Sequence, residues 1–177
     1  MNRFSVSIWL VPEENQEKQL REIINNLSSR YNTFPFIPHI TAYHLDSVPD
    51  LNDLTAKVEE IAQSARVLSL DFDKIDYSDV FTKTLYIRYK VSQELRVLHS
   101  KFKKAFSDYP PYEINPHLSL IYKNNMNNND KLKEIQAIGV SGRIILNRIM
   151  IIVREKEIVQ ERDVLDWRSM GTYALLV

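Results

Sequence analysis

The chain contains no cysteine, only three glycines among its 177 residues, no long apolar run and no excess charge of either sign. Without cysteine there is no disulfide framework, no thiol chemistry and none of the softest metal ligands, and a reducing, cytoplasmic setting fits. Three glycines cannot build a glycine-rich phosphate loop. Lys plus Arg and Asp plus Glu both number 23, so there is no global field to draw the protein onto long nucleic acid or an anionic membrane. The apolar stretch from Phe4 to Val11 is far too short for a signal core or a membrane span, and acidic residues follow it at once. No membrane association is expected, and any anion must be held by a local site.

What remains is an ordinary globular composition, 44% hydrophobic, long enough to bury a core as a single domain over residues 1–177, read here as a monomer. Phe4, Val6, Ile8 and Leu10 alternate with Ser5, Ser7, Trp9 and Val11, the period of a strand that Pro12 closes. Leu20, Ile23, Ile24 and Leu27 then recur at helical spacing, as do Leu51, Leu54, Val58, Ile61 and Ala65. Phe36 to Leu45 is rich in strand formers. Strands are also predicted around Leu68–Phe72 and Leu85–Val91, paired as a hairpin around Asp76 to Thr82. A helix over Leu95, Leu98, Phe102 and Phe106 is broken by Pro110 and Pro111, and a strand-like run follows from Pro116 to Tyr122. The polar segment Asn124 to Asn129 reads as a loop leading to a short helix around Leu132 to Ile138. Strand-like runs close the chain at Ile144–Val153 and around Leu165–Val177. The second half thus nearly repeats the first. An α+β fold of two lobes follows, with two antiparallel sheets lining a central cleft and helices on the outer faces.

One motif occurs twice. Ile37-Pro38-His39-Ile40-Thr41-Ala42 in the first half matches Asn115-Pro116-His117-Leu118-Ser119-Leu120 in the second. Successive strand side chains point to opposite faces, so His39 shares a face with Thr41, and His117 with Ser119, while the apolar residues take the other face. A lone His-x-Thr on a strand is ordinary, most often a half-buried histidine with its hydrogen bonds satisfied. Two copies at corresponding places in the two halves make a phosphate-sized site. Opening a phosphodiester needs a base at the attacking oxygen and an acid at the leaving one, on opposite sides of phosphorus. Two histidines in opposite protonation states supply both near neutral pH, and hydroxyls at Thr41 and Ser119 can donate to the non-bridging oxygens.

With these residues the chain resembles the two-histidine phosphoesterase superfamily, and within it the cyclic phosphodiesterases. Ser7-Ile8-Trp9-Leu10-Val11-Pro12, Phe36 to Thr41, Pro116 to Tyr122 and Leu146-Asn147-Arg148 are similar to segments of that family in the same order. The resemblance implies a bilobal fold and hydrolysis of ADP-ribose 1″,2″-cyclic phosphate to the 1″-phosphate and of nucleoside 2′,3′-cyclic phosphates to 2′-phosphates. It makes His117 the base that activates water, His39 the acid, and Thr41 and Ser119 the phosphate clamps, with no metal and no cofactor. Tyr122 matches a tyrosine the family uses at the phosphate, although five positions past His117 a regular strand turns it away, so a strand end or bulge is required. Trp9 is a candidate to stack on a base, with a core role as the alternative, and Phe81 is a weaker aromatic candidate. His44 has the wrong parity to face His39, and His99 reads as packed or at a rim. Lacking cysteine, the chain cannot share any redox-linked disulfide behaviour of relatives. The expected partner is a small cyclic-phosphate nucleotide. Two other readings stay open: an RNA-end 2′,3′-cyclic phosphodiesterase, which neutral charge disfavours, and a silent nucleotide-binding module on the same fold.

Overall fold

The computed structural model describes residues 4–155 and 157–177. The elements run β1 (Phe4–Pro12), α1 (Glu14–Tyr31), β2 (Ile40–Val48), α2 (Leu51–Gln63), β3 (Leu68–Tyr77), a 3-10 turn (Phe81–Lys83), β4 (Leu85–Tyr89) and α3 (Gln93–Ala105), then β5 (His117–Ile121), α4 (Asn128–Ala137), β6 (Arg143–Arg154), a second 3-10 segment (Glu161–Asp166) and β7 (Arg168–Ala174). The α+β class and the antiparallel pairing agree with the sequence. Several boundaries move for local reasons. β2 begins only at Ile40 because Pro35 and Pro38 have no N–H to give a ladder. α4 starts inside the polar loop because Asn127 caps it, its side chain accepting from the Asp130 N–H at 2.8 Å. The expected last strand is divided, its first residues Leu165 and Asp166 belonging to the 3-10 segment.

The strands form one ladder in the order β2-β1-β6-β3-β4-β5, with β7 also on β6. The two predicted sheets are therefore joined, and β3 joins them. Its first residues, Leu68 to Asp71, pair with β6, while Phe72 to Tyr77 pair with β4. The register slips by one between Phe72 and Lys74, a bulge that bends the strand and lets the sheet curl. Its terminal strands, β2 and β5, are brought into contact. Because β1, β2, β6 and β7 make one half of the ladder and β3, β4 and β5 the other, neither half corresponds to half of the sequence.

Helices cross over in the same way: α1 packs on β5 and β1, α2 on β7, and α3 on β2. α1 buries Leu20, Ile24 and Leu27 and ends at Asn32, which adopts the left-handed conformation at φ 52°. Asp50 caps α2 through the N–H groups of Asn52 and Asp53, and Ser92 caps α3 through Leu95. Each fully buried leucine, isoleucine or phenylalanine on these faces contributes roughly 1.5–3 kcal/mol, and Val6, Ile8, Leu10, Ile24 and Phe102 all have 0% exposure. α4 is anchored differently, by buried charge. Lys131 donates to the Ser78 carbonyl at 2.9 Å and pairs with Asp79, while Glu134 accepts from Arg30 and Tyr31. The Lys131 contacts tie α4 to the loop that carries Thr82 and Lys83. Among the described residues, no helix is long and apolar enough to cross a membrane.

Candidate active site

Where β2 and β5 meet, a cavity of about 290 Å³ is lined by His39, Thr41, His117, Ser119, Tyr122 and Trp9, together with Ser7, His44, Thr82, Lys83, Tyr112, Arg154, Ile158 and Trp167. The two motifs predicted to face each other thus share one cavity. Their histidines are held by the same device. His39 Nδ1 lies 2.6 Å from the Ile37 carbonyl, and His117 Nδ1 lies 2.8 Å from the Asn115 carbonyl. Since a carbonyl only accepts, Nδ1 carries the proton in both rings and Nε2 of each neutral imidazole is left as an acceptor. In both copies the accepting residue precedes the proline, which explains in local terms why Pro-His recurs: the fixed proline backbone presents that carbonyl to the ring two residues on.

Burial sets the protonation. His39 is 6% exposed, and its pKa is pushed down to about 3 by desolvation, opposed by the Ile37 carbonyl and reinforced by His117. His117 is also lowered, first by desolvation and, beyond the opposing Asn115 carbonyl, by the nearby Lys83 ammonium. Both rings are therefore neutral at neutral pH. Ser119 donates to the Thr82 carbonyl at 2.7 Å, so its hydrogen is already engaged, whereas Thr41 makes no side-chain hydrogen bond among the described residues.

Both motif strands carry a bulge at the same place. β1 pairs Ile8 with Tyr43 and Trp9 with Thr41, leaving Ala42 as an extra residue. β4 pairs Leu85 with Ile121 and Tyr86 with Ser119, leaving Leu120 extra. Each bulge reverses the side-chain alternation beyond it. Tyr122, just past the end of β5, is thereby returned to the cavity, as its matching role required. The same reversal corrects the expectation for His44, which does not face away but lines the cavity, five residues after His39 as Tyr122 is five after His117. That repeated interval was the signal that parity counting overlooked. His44 is bracketed by Ser7 Oγ at 3.0 Å from Nδ1 and Asp46 Oδ1 at 3.1 Å from Nε2.

Of the two aromatic candidates, Trp9 takes the core alternative at the cavity edge and Phe81 lies outside the cavity wall. Trp9 lines the cavity, but its ring is stacked on His39 with centroids 3.5 Å apart and planes 9° from parallel, and the edge of Trp167 meets it at 4.8 Å. At 3% exposure it has no free face for a base and acts as the platform under His39. Phe81 does not line the cavity; it packs behind Tyr122, with centroids 5.7 Å apart. Phe36 stacks on the other partner, Tyr122, at 4.3 Å, so an aromatic cluster runs from the first motif to the second. Trp167, Lys83 and Thr82 come from turns and a strand end, where periodicity carries no information about direction, and Arg154 is the last residue of β6. His99 is packed as expected, with Nε2 2.8 Å from the Tyr112 carbonyl.

Comparison with known proteins agrees with this architecture. A cyclic phosphodiesterase of Arabidopsis thaliana is 20% identical over 116 residues, 66% of this chain and 64% of that protein, so the match covers less than two thirds of the relative's own length. Among solved structures, E. coli LigT complexed with 3′-AMP superimposes with a TM-score of 0.61 at 11% identity over 99% of both chains. TT0787 of Thermus thermophilus does so with a TM-score of 0.62 at 11% identity over 97% of both. At such identity the structures speak for the fold alone. The family model of the 2′-5′ RNA ligase superfamily matches residues 11–157, which include both motifs. This chain belongs to the 2′-5′ RNA ligase superfamily of two-histidine phosphoesterases.

Proposed function

We propose that residues 1–177 act as one catalytic domain, a cyclic phosphodiesterase that opens a small cyclic phosphate with water and needs no metal. The observation that carries this reading is the pair of imidazoles in one cavity, each with Nδ1 committed to a backbone carbonyl and Nε2 left for chemistry. The Arabidopsis relative bears the name cyclic phosphodiesterase, and structures of E. coli LigT hold phosphate and 3′-AMP. Substrates of the proposed reaction are nucleoside 2′,3′-cyclic phosphates and ADP-ribose 1″,2″-cyclic phosphate.

In the proposed reaction the substrate anion enters between the histidines and raises the pKa of His39, which takes up a proton at Nε2. His117 Nε2 removes a proton from water as its oxygen attacks phosphorus. The P–O3′ bond breaks, His39 gives its proton to the leaving 3′-oxygen, and the 2′-phosphate remains. Each turnover leaves His117 protonated and His39 neutral, and exchange with solvent resets them. Thr41 donates to one non-bridging oxygen, and Ser119 exchanges the Thr82 carbonyl for another. Lys83 has no ion pair among the described residues and supplies positive charge on the His117 side. Stacking on Trp9 fixes the His39 ring plane, which in-line proton delivery requires.

The test is a direct comparison of ADP-ribose 1″,2″-cyclic phosphate, adenosine 2′,3′-cyclic phosphate and a cyclic-phosphate-ended oligoribonucleotide as substrates. Small substrates should be opened at least as efficiently as the oligonucleotide, since a chain with 23 charges of each sign gains little from further phosphates. A preference above about tenfold for the oligonucleotide, fading steeply with salt, favours the RNA-end enzyme instead.

A further inference from the structure

The groups just described account for one phosphate, and one cation in the cavity is left over. Arg154 ends β6 and lies across from Ser5 of β1. It is only partly exposed, it forms no ion pair among the described residues, and its Nε is buried without a hydrogen-bond partner. The carboxylates of Asp46 and Glu157 act on it through space without forming an ion pair or a hydrogen bond with it, and a half-buried guanidinium whose Nε lacks an acceptor is costly. The Asp46 carboxylate is hydrogen-bonded to His44 and Ser5 instead. Among the described residues, the cavity wall contains no carboxylate at all.

The strand register locates this cation relative to the reacting phosphate. Trp9 pairs with Thr41 and stacks on His39, so it marks the level of the chemistry. Ser5, on the same face of β1, is four residues away, about 13 Å at roughly 3.3 Å per residue. An arginine side chain leaning back along the strand covers part of that gap and leaves room for about one ribose. The charge of Arg154 acts on His44 and Tyr122. His44, clamped by Ser7 and Asp46, forms the wall beside it.

We propose that Arg154, with His44 beside it, is a second anion position that holds a further phosphate of a small nucleotide substrate. The inference rests on reading the cavity as a cyclic phosphodiesterase site and adds the residue that would hold a second phosphate about one ribose away from the cyclic one, a feature that ADP-ribose 1″,2″-cyclic phosphate has and a bare nucleoside 2′,3′-cyclic phosphate lacks. The planar, five-donor guanidinium suits a phosphate, which it can grip through two N–H groups at once. A cavity of about 290 Å³ is at the small end of ligand sites, which favours one nucleotide unit over a strand.

Calorimetric titration of adenosine 2′-phosphate and adenosine 2′,5′-bisphosphate into the wild type and into Arg154→Gln tests this. In the wild type the second phosphate should tighten binding by at least about tenfold, and in Arg154→Gln the ratio between the two ligands should fall to about twofold or less. No gain in the wild type, or a gain that survives the substitution, overturns the proposal. An equal loss of both ligands also overturns it, by putting Arg154 at the reacting phosphate. A dinucleotide ending in a 2′-phosphate is the third ligand: a gain confined to it assigns the position to an RNA linkage and overturns the small-nucleotide form. Because binding is read without turnover, an Arg154-dependent gain in a protein that opens no cyclic phosphate refutes the reaction and keeps the second anion position. Turnover without the gain does the reverse.

Discussion

Filling the cavity with an anion should raise the pKa of His39 by about three units. Burial holds it at about 3, against the pull of the Ile37 carbonyl and with help from His117. An imidazolium and a phosphate oxygen about 4 Å apart attract by about 4 kcal/mol at an effective dielectric constant near 20. Each pKa unit is worth about 1.36 kcal/mol, so the group moves to about 6 in the complex. Roughly one complex in ten then carries His39 as an acid at pH 7, enough for proton delivery. The measurement is an NMR titration of the His39 Cε1–H signal, assigned with His39→Gln, with and without saturating adenosine 2′-phosphate. Because the ligand's own second ionisation falls near pH 6, the imidazole signal rather than total proton uptake is the readout. A His39 signal that titrates at the same pH in both states refutes the coupling and with it the acid role.

Acid stability follows from the same burial. Unfolded His39 titrates near 6.5 and folded His39 near 3, so between these values the unfolded state binds the extra proton and stability falls as pH falls. Relative to His39→Gln, the wild type should lose roughly 2–3 kcal/mol of unfolding free energy between pH 7 and pH 4.5; parallel urea curves at the two pH values contradict this. Thr41→Ala and Ser119→Ala should lower kcat less than loss of either histidine, by about ten- to a hundredfold, the loss of one hydrogen bond to a charged group worth roughly 1.5–3 kcal/mol; rates unchanged within error remove them from the site. Activity should survive exhaustive chelation, because the cavity wall offers Lys83 and Arg154 but, among the described residues, no carboxylate to attract a divalent ion. Loss on chelation, restored by one divalent metal, overturns the metal-free reaction.

Much of this was legible because the chemistry sits in regular strands. Pro-His-apolar-hydroxyl-apolar fixes which side chains share a face, and its duplication marks the two strands that meet. Alternation fails at a bulge, however, and Ala42 and Leu120 show no sign of being extra until their pairing partners are known. That is why Tyr122 needed a special condition and His44 was turned the wrong way. The assignment of strands to sheets was hidden for a related reason: the bend at Phe72–Lys74 lets β3 serve both halves of the ladder, a consequence of long-range register. Trp9 showed its face in the sequence but not its neighbour, and the imidazole stacked on it decides that it supports His39 instead of a base. Lys83 and Trp167 reach the cavity from a turn and a strand end, where no period points a side chain, and Arg154 lies one residue past the strand-like run Ile144–Val153 that the sequence shows.

The central claim is that His39 and His117 work as one acid-base unit on a cyclic phosphate. Its most direct test is kcat for adenosine 2′,3′-cyclic phosphate with purified wild type, His39→Gln, His117→Gln and the double variant, with the product's regiochemistry identified. The account predicts adenosine 2′-phosphate from the wild type, a loss of about two to four orders of magnitude in each single variant, and a double variant little slower than the slower single one. Near-normal rates in both single variants would contradict it.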